Sequence, residues 1–116
     1  MQRKFRLTRS EDFKRVRRSG KSYAHPLVVL IAQASESSHP IHVGVAAGKP
    51  VGTAVRRNRA KRILRAAMRP LLASLPADWD IALIARPALV SATLEDARTA
   101  LTQLLRRAQI LPADES

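Results

Sequence analysis

The side chains best suited to chemistry in this sequence are cations between residues 49 and 69. Eight of the 21 lysines and arginines fall there, and nine more lie between Arg3 and Lys21. Arginine predominates over lysine, and its planar guanidinium forms paired hydrogen bonds with phosphate oxygens and stacks on bases. Asn58 adds an amide that both donates and accepts hydrogen bonds. These residue types therefore favour binding to a polymer that carries phosphate groups.

The charge of the whole chain is segregated in the same way. The net charge is +12 in 116 residues, and only Glu11 and Asp12 interrupt the two basic windows. A single basic run is often no more than a solvated helix face, but two separate clusters in so short a chain favour the binding of a polyanion. RNA, DNA and an anionic membrane surface are the candidate partners.

The membrane is a weak candidate among these. The longest aliphatic run, residues 27–32, is much shorter than the roughly 20 residues that span a bilayer. No apolar signal core follows the basic N-terminus, which predicts a cytoplasmic protein. A helix lying on a membrane would bury large aromatic side chains, and the apolar stripe described below has none. The chain has no cysteine, which excludes disulfides and thiol chemistry.

A chain that cuts nucleic acid itself would need clustered carboxylates to hold magnesium. The late acidic pairs are Asp78 with Asp80, next to a predicted strand, and Glu95 with Asp96, in the first turn of a predicted helix. Acids in that turn complement the helix dipole, so both pairs have structural explanations. The histidines at 25, 39 and 42 have no carboxylate nearby in sequence and are interpreted as surface residues. We predict no catalytic residue and no metal ligand.

Three helices and three strands are expected to position the cations. Ser10 is predicted to cap a helix over residues 10–19 whose buried side carries Phe13 and Val16, with Gly20 as its stop. Two apolar runs, residues 27–32 and 41–45, are predicted to form an antiparallel hairpin across a polar turn at 35–40. Residues 79–86 form the third strand.

The second helix is predicted to begin after Thr53, its N-cap, and to kink or end at Pro70. A third begins at about Thr93, and the tail after Pro112 is expected to be disordered. Each helix carries apolar residues at the three-four spacing of one buried stripe. The stripes are Ala60, Ile63, Leu64, Ala67, Met68 and Leu71, and then Leu94, Ala97, Leu101, Leu104, Leu105 and Ala108.

The predicted order is α-β-β-α-β-α, an α+β fold in which helices cover a small sheet. No linker or repeat divides the chain, so residues 1–116 are expected to form a single RNA-binding domain. A helix-turn-helix reader of DNA is disfavoured, because a strand and not a helix precedes the basic helix.

Residues 51–62, Val-Gly-Thr-Ala-Val-Arg-Arg-Asn-Arg-Ala-Lys-Arg, resemble the Arg-Asn-Arg motif of the bacterial ribonuclease P protein component. The resemblance extends to Leu7, Glu11-Asp12-Phe13, Gly20, the hairpin and the strand end at residues 84–86. It implies a mixed sheet with a left-handed βαβ crossover, the fold of ribosomal protein S5 domain 2. The alternatives are a ribosomal protein or a general RNA chaperone, which share the size and charge but not this ordered motif.

The resemblance also implies a function. In that family the protein is the accessory subunit of an endoribonuclease, and the RNA subunit removes the 5′ leader of precursor tRNA with magnesium ions. The implied partners are the ribonuclease P RNA and precursor tRNA, with no membrane and no DNA. No cofactor is expected on the protein alone, and Mg²⁺ is expected in the RNA holoenzyme.

Two sets of site residues follow from the resemblance. The set expected to bind the RNA subunit is Arg56, Arg57, Asn58, Arg59, Lys61, Arg62, Arg65 and Arg69. The set expected to line a cleft for the single-stranded leader is Phe13, Lys14, Arg17, Ile31 and Lys49. Arg17 and Ile31 stand where the family commonly has aromatic residues, which predicts a cleft that relies more on charge than on base stacking.

Overall fold

A computed structural model describes residues 6–7, 10–35 and 40–112 of the chain. His39 lies outside these ranges, and so does the predicted tail after Pro112. The described residues form seven main elements, with single turns of 3-10 helix at Lys49–Val51 and Pro87–Ser91. In chain order the elements are α1 (Ser10–Ser19), β1 (Lys21–Ala24), β2 (Val28–Ala34), β3 (His42–Ala46), α2 (Ala54–Leu72), β4 (Trp79–Ala85) and α3 (Leu94–Arg107).

The α+β class is confirmed, but the sheet has four strands in the order β1-β2-β4-β3. The additional strand, β1, is short and polar and gave no apolar pattern to detect. It forms the antiparallel hairpin with β2, while β2 also pairs antiparallel with β4. β3 pairs with β4 in parallel, and α2 connects the two strands.

The predicted hairpin between residues 27–32 and 41–45 is therefore wrong. β2 is buried along most of its length on both faces, because it lies inside the sheet with β1 on one side and β4 on the other. β3 occupies the opposite side of β4, next to Arg6, which forms an isolated bridge with Val43. The error came from assuming that strands adjacent in sequence also pair in the sheet.

The two faces of the sheet are covered unequally. α2 and α3 pack side by side on one face, where Leu64 and Leu101 join Leu30 and Leu83 in the main core. Among the described residues, the other face carries α1 and Leu7, and Val16 of α1 packs against Ile31 and Ala82. Because one ten-residue helix covers this second face, much of it stays partly open.

The predicted helix boundaries hold with two differences, and one residue predicted to be buried is exposed. Thr53 caps α2, its Oγ1 accepting a hydrogen bond from the Arg56 N–H at 3.3 Å. Ser10 is the first residue of α1 and not its cap. α2 continues through Pro70 to Leu72, since a proline this close to the end forfeits one backbone bond while Leu72 is buried. Leu94, predicted on the buried stripe of α3, is 43% exposed.

Candidate nucleic-acid interface

α2 separates its apolar and cationic residues onto opposite sides. Ala60, Leu64, Ala67 and Met68 of the predicted stripe are fully buried. The polar residues at positions 58, 62, 65 and 69 follow the 4-3-4 spacing of one outward stripe, about 17 Å long at 1.5 Å per residue. Asn58, Arg59, Arg62 and Arg69 are exposed, while Arg57, Lys61 and Arg65 are half-buried at the borders. We call the side formed by these seven residues the α2 cationic face.

The described part of the chain does not neutralise the positive charge of the α2 cationic face. The helix contains no acidic residue. Within the described part of the protein, the salt bridges join Arg15 to Asp12 and Asp80, and His42 to Asp80, and involve no residue of α2. A run of cations without counter-charges produces a strong local field, and polyanions are the ligands that such a field attracts.

The first turn of α2 holds two arginines in different environments. The Arg56 Nε donates to the Val51 carbonyl at 3.1 Å, and its side chain packs beside Gly52, where φ is 123°. This φ favours glycine at position 52, and a Cβ there would lie 2.8 Å from the Arg56 Cδ, so the Arg56 side chain would also have to shift. The Arg57 Nε is buried, and no residue of the described ranges accepts its hydrogen bond.

A cavity of about 250 Å³ lies beside the edge strand β3 and is lined from both α1 and α2. Arg65 enters it from α2 and Phe13 from α1, and Gly44 of β3 forms part of the wall between them. A Cβ at Gly44 would lie 2.7 Å from the Phe13 Cδ2, so the missing side chain is what lets the ring approach the strand. We call this space the inner cavity. It brings one residue from each predicted set together.

A shallower groove of about 360 Å³ adjoins the inner cavity. The two spaces share Leu7, Phe13 and Val45, and Lys14 and Arg17 line the groove from α1. We call it the outer groove. Arg17 and Lys14 are exposed and Phe13 is half-buried, so the groove combines an aromatic surface with two cations.

The other two residues predicted for the cleft lie elsewhere. Ile31 is 6% exposed and packs beneath α1 with Val16 and Ala82, which leaves it little surface to offer a ligand. Lys49 is exposed in the 3-10 turn after β3 and lines neither the inner cavity nor the outer groove.

An ionic cluster fixes α1 to the sheet beside these spaces. Arg15 donates to Asp80 at 2.9 Å and also to the side chain of Gln33. His42 Nδ1 lies 3.5 Å from Asp80 Oδ1, so His42, interpreted as a surface residue because no carboxylate is near it in sequence, has one beside it in the fold. The sequence placed no carboxylate near it because the parallel pairing of β3 with β4 brings Asp80 alongside. The hydrogen bond to Asp80 raises the pKa of Arg15.

Sequence reasoning missed several residues that build the candidate site. Arg6, Leu7, Val45 and Gly44 line the inner cavity and were not in either predicted set. Only Gly44 left a signal in the sequence, because a glycine inside an alternating strand pattern often marks a close approach by another group. The others depend on how the N-terminal segment lies along β3, where the Leu7 N–H donates to the Val43 carbonyl at 3.0 Å.

Neither a metal centre nor a membrane span is found among the described residues. Within the ranges 6–7, 10–35 and 40–112, no three histidine or acidic side chains are grouped so that they could hold a metal ion. In those ranges no helix has the length and apolar character to cross a membrane.

Comparisons with known proteins agree with the resemblance seen in the sequence. The sequence model of the ribonuclease P family matches residues 1–109. The ribonuclease P protein component of Herpetosiphon aurantiacus is 38% identical over 110 residues, covering 95% of this chain and 89% of that protein. That of Dehalococcoides mccartyi is 42% identical over 106 residues, covering 91% and 86%.

Solved structures lead to the same family. The fold matches the Staphylococcus aureus RNase P protein with a TM-score of 0.79 and 27% identity, covering 92% of this chain and 97% of that one. The Thermotoga maritima RNase P protein gives a TM-score of 0.75 at 27% identity, covering 88% and 96%. The family predicted from residues 51–62 and their flanks is confirmed, and this chain belongs to the ribonuclease P protein family.

Proposed function

We propose that this chain is the RNA-binding protein subunit of a bacterial ribonuclease P and assists removal of the 5′ leader from precursor tRNA. The observation that carries the proposal is the α2 cationic face, which has no counter-charge in its own helix, in a chain of this family. A surface of this kind gains affinity by releasing the counterions that RNA phosphates hold in solution.

The α2 cationic face and the outer groove bind different RNA segments. The α2 cationic face binds the phosphate backbone of the catalytic RNA through its exposed side chains, Asn58, Arg59, Arg62 and Arg69. The outer groove holds the leader, with Phe13 offering a ring to a base and Lys14 and Arg17 contacting phosphates. Arg65 lies where the two segments approach each other.

The contribution of the protein to the reaction is electrostatic positioning. Two RNA molecules repel each other, and a cationic protein between them lowers that repulsion and the salt needed to overcome it. Magnesium ions bound by the RNA subunit supply the chemistry of phosphodiester hydrolysis. The protein itself binds and orients the RNA segments, and none of its residues is assigned a catalytic role.

The test is cleavage of precursor tRNA by a bacterial ribonuclease P RNA at low magnesium, with and without this protein. We expect stimulation comparable to that given by the Staphylococcus aureus RNase P protein. An unrelated self-cleaving RNA serves as control, because a general RNA chaperone would stimulate both ribozymes. Absence of stimulation while the Staphylococcus protein works, or equal stimulation of the unrelated RNA, would contradict the proposal.

A further inference from the structure

A cavity of about 360 Å³ lies at the β1 edge of the sheet, on the opposite side from β3 and the inner cavity. Its walls come from β1, the start of β4 and the C-terminal end of α3. We call it the β1 cavity. It shares no residue with the α2 cationic face, the inner cavity or the outer groove. Its principal lining residues are Lys21, Tyr23, Ala32, Trp79, Arg107 and Gln109.

The strand register explains why this space exists. Lys21 pairs with Ala32, and Trp79 pairs with Ala34, so all these side chains project from the sheet face that α3 covers. Tyr23 follows Lys21 on the same face of β1. Because Ala32 on the intervening strand has only a methyl group, it leaves a gap between larger side chains on β1 and β4.

The β1 cavity concentrates the aromatic surface of the chain. The whole sequence has one tryptophan, one tyrosine and two phenylalanines, and both Tyr23 and Trp79 line this cavity. Each is half-buried, so part of each ring packs on the main core while the rest stays accessible. Flat aromatic surfaces of this kind are the platforms on which proteins stack unpaired bases.

Among the described residues that line the cavity, the charged ones are Lys21 and Arg107, both cations. The guanidinium of Arg107 lies 5.8 Å from the centroid of the Tyr23 ring, and its Nη1 donates to the Ala24 carbonyl at 2.8 Å. These contacts hold Arg107 in place at the wall. Lys21 is exposed at the edge, and none of the described residues that line the cavity is acidic. The site therefore suits a ligand that carries negative charge.

Gln109, at the rim of the cavity, adopts a backbone conformation that is unusual for its residue type. Gln109 follows the end of α3 with φ at 61°, where glycine or asparagine is usual. The Ile110 N–H donates to the Leu105 carbonyl at 2.9 Å and helps to fix the chain there. The Gln109 side chain lines the same cavity as the two rings, and its amide offers both a donor and an acceptor.

We propose that the β1 cavity binds one unpaired nucleotide of an RNA. The base stacks against the exposed part of Trp79 and contacts the part of the Tyr23 ring that Arg107 leaves free, its edge meets the Gln109 amide, and its phosphate is neutralised by Lys21 and Arg107. Aromatic rings bind bases by stacking, and cations bind phosphates. The combination in this cavity therefore suits a nucleotide better than an apolar ligand. The protein then contacts RNA at both edges of its sheet.

Trp79 is the only tryptophan, so its fluorescence reports directly on this cavity. The experiment titrates short single-stranded oligoadenylate into a variant with Arg57, Arg59 and Arg62 replaced by Ala, which removes much of the competing α2 cationic face. We expect Trp79 quenching by oligoadenylate and little quenching by an abasic ribose-phosphate oligomer of equal length. Equal quenching by both oligomers, or none by oligoadenylate, would overturn the proposal.

Two substitutions in that background locate the contact. Tyr23→Leu keeps apolar bulk but removes the stacking surface, and we expect it to weaken oligoadenylate binding about tenfold. Lys21→Gln, at an exposed position, should weaken binding several-fold without affecting folding, and Arg98→Gln on the outer side of α3 is the charge-matched control. Affinity that is unchanged by Lys21→Gln and Tyr23→Leu, or that falls equally with Arg98→Gln, would assign the quenching to another surface.

Discussion

Arg15 of α1 donates a hydrogen bond to Asp80 of β4 over 2.9 Å, and Asp80 is only 4% exposed. His42 of β3 approaches the same carboxylate at 3.5 Å. Asp80 thus connects α1 to β4, on which it lies, and to β3. Both strands belong to the sheet face that α1 covers. Since Val16 is the only fully buried residue of α1, this ionic contact is a large part of what positions the helix and, with it, Phe13 and the outer groove.

Asp80→Asn should destabilise the fold by about 1 to 2 kcal/mol, because it removes a charged hydrogen-bond acceptor from a buried position. The figure is kept low because the Arg15 side chain is 39% exposed and water recovers part of its interaction. Urea unfolding measures the change. Asp12→Asn, which removes a 3.5 Å contact to the same arginine at an exposed site, should change stability by less than about 0.5 kcal/mol. Equal losses would contradict the assigned role of Asp80.

The contribution of Arg15 should not vary between neutral and mildly alkaline pH. Its pKa is raised mainly by the hydrogen bond to Asp80, and a raised pKa in a basic group stabilises the fold at every pH below the ordinary value. That stability is lost only as the pH rises through the raised pKa, far into the alkaline range. The difference in unfolding free energy between the wild type and Arg15→Met, measured from pH 7 to 9, should be constant; a steady decline over that interval would refute this.

Gly44→Ala should displace Phe13, because the added Cβ would lie 2.7 Å from the ring and 3.2 Å from the Leu7 Cβ. Overpacking of this kind costs roughly 1 to 3 kcal/mol. Phe13→Leu in the same chain should recover much of that loss, so the two changes are expected to be non-additive in a double-mutant cycle. Strict additivity in urea unfolding would show that the ring and the strand do not constrain each other.

Much of this architecture could be predicted from the sequence, and the failures have a common cause. The period of the apolar residues identified α2, α3 and β4, because each buries a full stripe or both faces. β1 was missed because Lys21 and Ser22 are exposed and give no pattern. The pairing of β3 with β4 was missed because a crossover through α2 leaves no local signal.

The candidate site divides along the same line. The α2 cationic face could be predicted because all its residues lie on one helix, where spacing alone determines which side they share. The inner cavity could not, since Arg65, Gly44 and Phe13 meet only when three separate elements pack. The contact of His42 with Asp80 likewise depends on strand pairing between residues far apart in the chain.

Replacing Arg57, Arg59 and Arg62 together by Ala should weaken binding to ribonuclease P RNA by at least tenfold at moderate salt, with the fold intact. The log–log dependence of affinity on salt should also become shallower, by roughly 0.7 to 0.9 for each phosphate that the variant no longer neutralises. Filter binding over a salt series measures both. The matched control replaces three exposed arginines outside the site, Arg86, Arg98 and Arg106, and removes the same net charge. Equal effects of the two triple variants would mean that net charge and not the α2 cationic face determines affinity.

Arg17 lines the outer groove and Lys49 lines neither space beside α1, although both are exposed cations within the basic windows. Arg17→Gln should therefore reduce the affinity of the holoenzyme for precursor tRNA several-fold, and Lys49→Gln should reduce it less, because only the first removes a charge from the groove wall. Mature tRNA, which has no leader, provides the control, and its affinity should be the same with either variant. If Lys49→Gln has the larger effect on precursor tRNA, the leader follows the turn after β3 and not the groove between α1 and β3.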